Sequence, residues 1–149
     1  MKKGFTLIEL LIAVSIIAIL ISIGVVSYGS VNKRSRDAKR KGDIEQLRSG
    51  LEMYRADTGY YPGSSQGCAN VSPSWNDASC LSTTLVSSYL PAIPSDPKST
   101  QTYRYQPANP SGGNYYGYCM SALIESEVNP ADTCTPDTTN SHNYGAKSP

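Results

Sequence analysis

The chain opens with an apolar run too long for an ordinary core helix. From Leu10 to Tyr28 no residue is charged, and only Ser15, Ser22, Gly24 and Ser27 interrupt the aliphatic and aromatic positions. A helix of that length crosses a hydrocarbon layer of about 30 Å. The pattern then changes without a break. Ile44, Leu47, Leu51 and Tyr54 recur at helical spacing, which predicts an amphipathic continuation whose stripe must be covered by another part of the protein. Asp37 with Lys41, Lys41 with Glu45, and Arg48 with Glu52 stand four residues apart, the distance that favours ion pairs along a helix. No proline falls between Phe5 and Asp57, so one helix of about fifty residues, roughly 75–80 Å long, is expected. Gly24 and Gly29 are its weakest points. Asp57-Thr58-Gly59 supplies the stop, with Gly59 suited to a left-handed cap and Pro62 barring renewed helix.

Beyond Gly59 the sequence is rich in turns. Tyr60 to Gly67 reads as turn, and Leu81, Leu85, Val86, Tyr89 and Leu90 predict a short helix halted by Pro91. Tyr103 to Gln106 and the longer run Asn114 to Glu125 read as strands, with Asn109-Pro110-Ser111-Gly112-Gly113 as the hairpin turn between them. The expected fold class is α+β: a long amino-terminal helix packed on a small antiparallel sheet. The tail from Asn129 to Pro149 is polar and nearly free of aliphatic side chains, so it is expected to be extended and held only through Cys134.

Charge and cysteines refine this picture. The formal charge of +1 conceals an asymmetry, because beyond Asp57 only Lys98, Arg104 and Lys147 are basic. That distal domain is acidic, which disfavours it as a general nucleic-acid surface. Lys33, Arg34, Arg36, Lys39, Arg40 and Lys41 instead cluster just past the apolar run. They read as a solvated helix face or subunit contact, with a DNA-binding stripe as the alternative. A domain of this size has a thin core, for which disulfides are a usual supplement. Four cysteines allow three pairings; proximity along the chain favours Cys68 with Cys80 and Cys119 with Cys134, each worth about 3 kcal/mol in the chain-entropy account. Paired cysteines also point to an oxidising compartment. Their spacing does not match the C-x-x-C pattern of zinc or redox sites.

The start of the chain carries the most specific signal. Lys2-Lys3-Gly4-Phe5-Thr6-Leu7-Ile8-Glu9-Leu10 places one carboxylate at the edge of an apolar span, where an unpaired acid is costly and marks function. This segment resembles the leader and cleavage site of type IV pilins and of the pseudopilins of type II secretion systems. Tyr54, Asp57 to Pro62, Gln66-Gly67, and Leu90-Pro91 leading to Asp96-Pro97 before a tyrosine-rich strand are similar to the major pseudopilins of that group, loosely as far as residue 125. The resemblance implies a pilin fold and cleavage between Gly4 and Phe5 by a prepilin peptidase, which methylates Phe5. It also implies that Glu9 pairs with a neighbouring subunit's terminal amine during filament assembly. The implied partners are further copies of the chain, the peptidase, an inner-membrane platform protein and its assembly ATPase. The implied location is the cytoplasmic membrane first, and then a periplasmic or extracellular filament.

Five segments follow: a leader at 1–4, a membrane or filament-core helix at 5–30, its amphipathic extension at 31–57, a globular domain at 58–128, and the tail at 129–149. Structural pilus subunit, secretion pseudopilin, and DNA-uptake or adhesion subunit remain alternatives. The acidic, glycine-rich loop that holds calcium in those pseudopilins has no counterpart around Asp132 and Asp137, so no metal or cofactor is assigned.

Other readings fit less well. A secretory signal has a shorter apolar core without an acid, and its removal would leave a helix with no start. The basic cluster beyond the span opposes export under the positive-inside rule, and the motif with the cysteines outweighs it. Eleven tyrosines against one phenylalanine and one tryptophan read as sheet core plus solvent-tolerant aromatics, with base stacking on single-stranded DNA as the alternative. His142, the sole histidine, has no nucleophile or acid pair beside it in sequence, so no enzyme is expected. Asn70-Val71-Ser72 matches a short glycosylation pattern.

Overall fold

The computed structural model describes residues 4–68, 74–127 and 134–149, with backbone alone for Val26 and Ser27. Lys2, Lys3, the Asn70-Val71-Ser72 pattern and Asp132 lie outside the described residues. One helix, α1, runs from Leu7 to Thr58 over 52 residues, about 78 Å at the α-helical rise. It passes through Gly24 and Gly29 unbroken. Gly59 ends it in the left-handed conformation, φ 85°, donating its N–H to the Arg55 carbonyl at 2.7 Å.

The distal domain is a four-stranded antiparallel sheet in sequential order: β1 (Asn76–Asp77), β2 (Arg104–Ser111), β3 (Asn114–Ala122) and β4 (Tyr144–Lys147). Gly112 and Gly113, both at positive φ, form a two-residue hairpin between β2 and β3, with Ser111 opposite Asn114. Among the described residues, β1 pairs with β2 at Arg104 and Tyr105. Further along, β2 carries Pro107 and Pro110, which have no ladder donors.

Two expectations change. The tail is not held through Cys134 alone, because Tyr144–Lys147 pairs with Cys119–Ala122 as the fourth strand. Small residues make this possible without aliphatic bulk. Gly145 and Ala146 are buried, and a Cβ on Gly145 would run into the Cys134 carbonyl. The helix predicted to reach Pro91 is only one turn, α2 (Ser82–Leu85), continuing a 3₁₀ turn at Ala78–Leu81. Ser87 turns left-handed at φ 77° and breaks it early.

The core joins one stripe of α1 to the sheet. Ile44, Leu47 and Leu51 have no exposed surface, nor have Tyr61, Tyr105, Leu81, Leu85 and Met120. Tyr61 and Tyr118 meet edge to face with ring centroids 4.7 Å apart. Buried phenols find partners: Tyr105 donates to the Pro62 carbonyl at 2.8 Å, Tyr103 to Asp43 at 2.6 Å and Tyr61 to Glu52 at 2.8 Å. Tyrosine thus builds a core that phenylalanine could not polarly satisfy. Tyr116 stays 45% exposed, so these strands divide their tyrosines between core and solvent. Cys68 bonds to Cys80 and Cys119 to Cys134, with Cα atoms 5.2 and 6.2 Å apart, inside the bridgeable range.

Candidate processing and assembly site

At the start of α1, Thr6 is the N-cap in extended conformation. Its hydroxyl accepts the Glu9 N–H at 3.3 Å, while the Glu9 carboxylate accepts the Thr6 N–H at 2.9 Å and the Thr6 hydroxyl at 2.7 Å. This reciprocal arrangement satisfies donors that a helix start leaves open. All three bonds to Glu9 stay within one turn, and both carboxylate donors come to Oε2. Thr6 is a residue that sequence reasoning missed, although Thr-x-x-Glu before an apolar run is a capping signature. Gly4 and Phe5 precede the cap in open backbone, with Phe5 87% exposed and no atom within 4 Å of where a Gly4 Cβ would stand.

From Leu7 to Val25 every α1 side chain is exposed. Ser15 and Ser22 turn their hydroxyls back onto the Ile12 and Ile19 carbonyls at 2.8 and 2.7 Å, which leaves the surface of this half apolar. The half is long and apolar enough to cross a membrane, and the domain covers none of it.

The basic cluster behaves differently from a uniformly solvated face. Arg40 is fully buried and holds Asp96 through two parallel bonds of 2.7 and 2.9 Å, Asp37 at 2.9 Å and Glu125 at 2.7 Å. Arg36 grips Glu125 with bonds of 2.9 and 2.7 Å, and Lys98 reaches the same carboxylate at 2.8 Å. Asp37 in turn accepts the Glu125 and Ser126 N–H groups at 2.9 and 2.7 Å. This ionic clasp fixes two loops onto α1 where the helix enters the domain. Arg36, followed by Lys98 and Arg40, holds the Glu125 carboxyl well below the usual carboxylate range despite partial burial. Hydrogen bonds from Ser126 and Glu125 lower Asp37 as well, against the upward push of its burial. Lys41 turns to Glu127 at 2.8 Å and Arg48 to Glu45 at 2.7 Å, so the local pairs read from the sequence give way to other partners. Lys33 and Arg34 remain exposed. Among the described residues, no group of His, Cys, Asp or Glu is arranged to hold a metal ion.

A single long helix, uncovered and apolar in its first half and packed on a small antiparallel sheet in its second, defines a pilin-like subunit. Two family profiles match it in succession: the prokaryotic N-terminal methylation motif over residues 1–25, and type II secretion system (T2SS), protein G, over residues 28–120. The second spans more than half of the chain, which belongs to the protein G family of type II secretion pseudopilins. Type II secretion system core protein G of Escherichia coli K12 is 26% identical over 134 residues, 90% of each chain. Those of Pseudomonas aeruginosa and Klebsiella michiganensis are 36% identical over 66 residues and 39% over 67. Each of these two covers 44% of this chain and 46% of the relative. No solved structure matches significantly.

Proposed function

We propose that this chain is made as a membrane precursor, cut between Gly4 and Phe5 by a prepilin peptidase, and methylated at Phe5. It then polymerises through residues 5–30 into the periplasmic filament of a secretion system. The observation that carries this reading is the uncovered apolar half of α1, joined without a break to a half that the domain buries. Lipid tails are as apolar as leucine, so transfer from bilayer to a helix-packed filament core changes apolar exposure little, and packing with polar pairing decides the balance. Assembly is then reversible and driven from outside the subunit, the task of the platform protein and its ATPase.

Glu9 is the polar element of that exchange. In the single chain its Oε2 is committed to Thr6, and the carboxylate retains lone pairs for a second donor. The cationic amine of a neighbour's Phe5 fits this need, and a misplaced register would leave two desolvated charges unpaired. Sheared filaments and membranes from cells carrying Gly4→Leu or Glu9→Ala test the scheme by peptide mapping of subunit termini. Gly4→Leu should leave full-length, unassembled protein, whereas Glu9→Ala should be cut normally and lose at least about tenfold in filament yield, the equivalent of 1.4 kcal/mol. Filaments of normal number and rise in the Glu9 variant would refute the register role.

A further inference from the structure

The carboxyl-terminal segment crosses β3 as a strap fastened by a buried polar knot. His142, 4% exposed, places its Nδ1 3.0 Å from the Ser121 hydroxyl of β3. That same hydroxyl accepts the Asp137 N–H at 2.9 Å, and the His142 N–H donates to the Asp137 carbonyl at 3.0 Å. Asp137 is 1% exposed, and its carboxylate accepts from Asn140 at 2.6 Å. The next residue carries the fastening onward. The Asn143 side chain donates to the Ile124 carbonyl at 2.9 Å and accepts the Ile124 N–H at 2.7 Å, standing in for a strand partner. Glu125 and Ser126 follow immediately and dock on Asp37 of α1. A continuous series of contacts therefore links the imidazole to the clasp on the long helix.

We propose that His142 is the proton sensor of a latch: in mildly acidic solution, charging its imidazole frees the strap from β3 and loosens residues 124–126 against α1. A buried imidazole has no water to solvate a positive charge. Asp137 in the strap and Asp96 in the loop before β2 favour the charged form, Arg104 on β2 opposes it, and Ser121 is its hydrogen-bonding neighbour. Burial prevails and lowers the imidazole below its ordinary value. The released strap then binds a proton more readily than the docked one. Docking is fully favourable above about pH 6.5, the unperturbed value, and weakens as pH falls through it. Asp37 and Glu125 are held below the usual carboxylate range, so the clasp keeps its charges in mildly acidic solution below the ordinary imidazole value. The Cys119–Cys134 bond keeps the freed strap tethered, so the motion is a reversible swing.

The full-length chain in detergent micelles carries two built-in reporters. Its one histidine gives a single imidazole NMR signal, and its one tryptophan, Trp75, lines a cavity of about 390 Å³ together with Thr135, Thr138 and Thr139 of the strap. On acidification from pH 7.5 to 5, the imidazole should titrate below pH 6.5, the ordinary value. Trp75 emission should change with the same midpoint while far-ultraviolet helicity is unchanged. His142→Gln should lose the emission change, and Asp137→Asn should move the midpoint to lower pH. An imidazole midpoint at or above 6.5, titration without a Trp75 response, or an unchanged transition in His142→Gln would each overturn the latch. Should His142→Gln fail to fold, the coincidence of the two signals in the native chain decides the matter alone.

Discussion

Within α1, the more apolar half is the one that the domain leaves alone. Leu10, Ile17 and Ile21 are 57%, 54% and 59% exposed, whereas Ile44, Leu47 and Leu51, further along the same helix, have no exposed surface. Burial in this chain follows the availability of a partner, and hydrophobicity only states the need for one. With the proposed assembly through residues 5–30, stability and assembly belong to different stretches of a single rod. A substitution of one chemical kind should act on domain stability or on polymerisation according to the half in which it falls.

The sharpest test of that division is Arg40→Ala. It leaves the buried Asp96 with the Lys98 N–H alone and takes one cationic partner from Asp37 and from Glu125, and should destabilise the domain by about 3–5 kcal/mol, measured by denaturant unfolding of the detergent-solubilised chain. Leu51→Ala should cost about 2–5 kcal/mol from lost burial and the cavity left behind, read in the same titration. A loss below about 1 kcal/mol in either variant would contradict the packing of the second half. Acid provides a milder perturbation. Glu125 and Asp37 have depressed folded-state values, so their contribution is complete above the unfolded carboxylate range of about 4 and is lost as pH falls below it. The loss in unfolding midpoint caused by Glu125→Gln should be largest at pH 6 and should shrink steadily as pH falls below about 4. The smallest effect belongs to Ile17→Ala. Domain stability should move by less than about 0.5 kcal/mol, while filament yield falls, and a comparable loss in both assays would erase the distinction between the halves.

The helix was the most legible part of this fold. Its boundaries, expected at residues 5–57, lie at Leu7 and Thr58, because an apolar run, an amphipathic stripe and a glycine stop are all local signals. A hairpin turn expected over Asn109 to Gly113 was readable for the same reason, although only Gly112 and Gly113 form it and Asn109 to Ser111 extend β2. Three features were hidden. Arg40 looked like part of a solvated basic face because its acids arrive from Asp96 and Glu125, 56 and 85 residues away. The strand at Tyr144–Lys147 had no alternating pattern, since small residues and side-chain amides do the work that aliphatic bulk usually does. Thr6 was passed over beside the more conspicuous Glu9, although the two form one hydrogen-bonded unit.

The prolines of β2 have a consequence for crowding. Subunits gathered in a membrane or aligned in a filament bring their sheet edges within reach of one another at high local concentration. An open edge is a template for cross-pairing between chains. Beyond Tyr105, β2 carries two positions that have no N–H to offer, Pro107 and Pro110. Any strand that approached this stretch would meet an interrupted ladder. Adhesion between domains is thereby discouraged, which suits the proposed assembly through the helix.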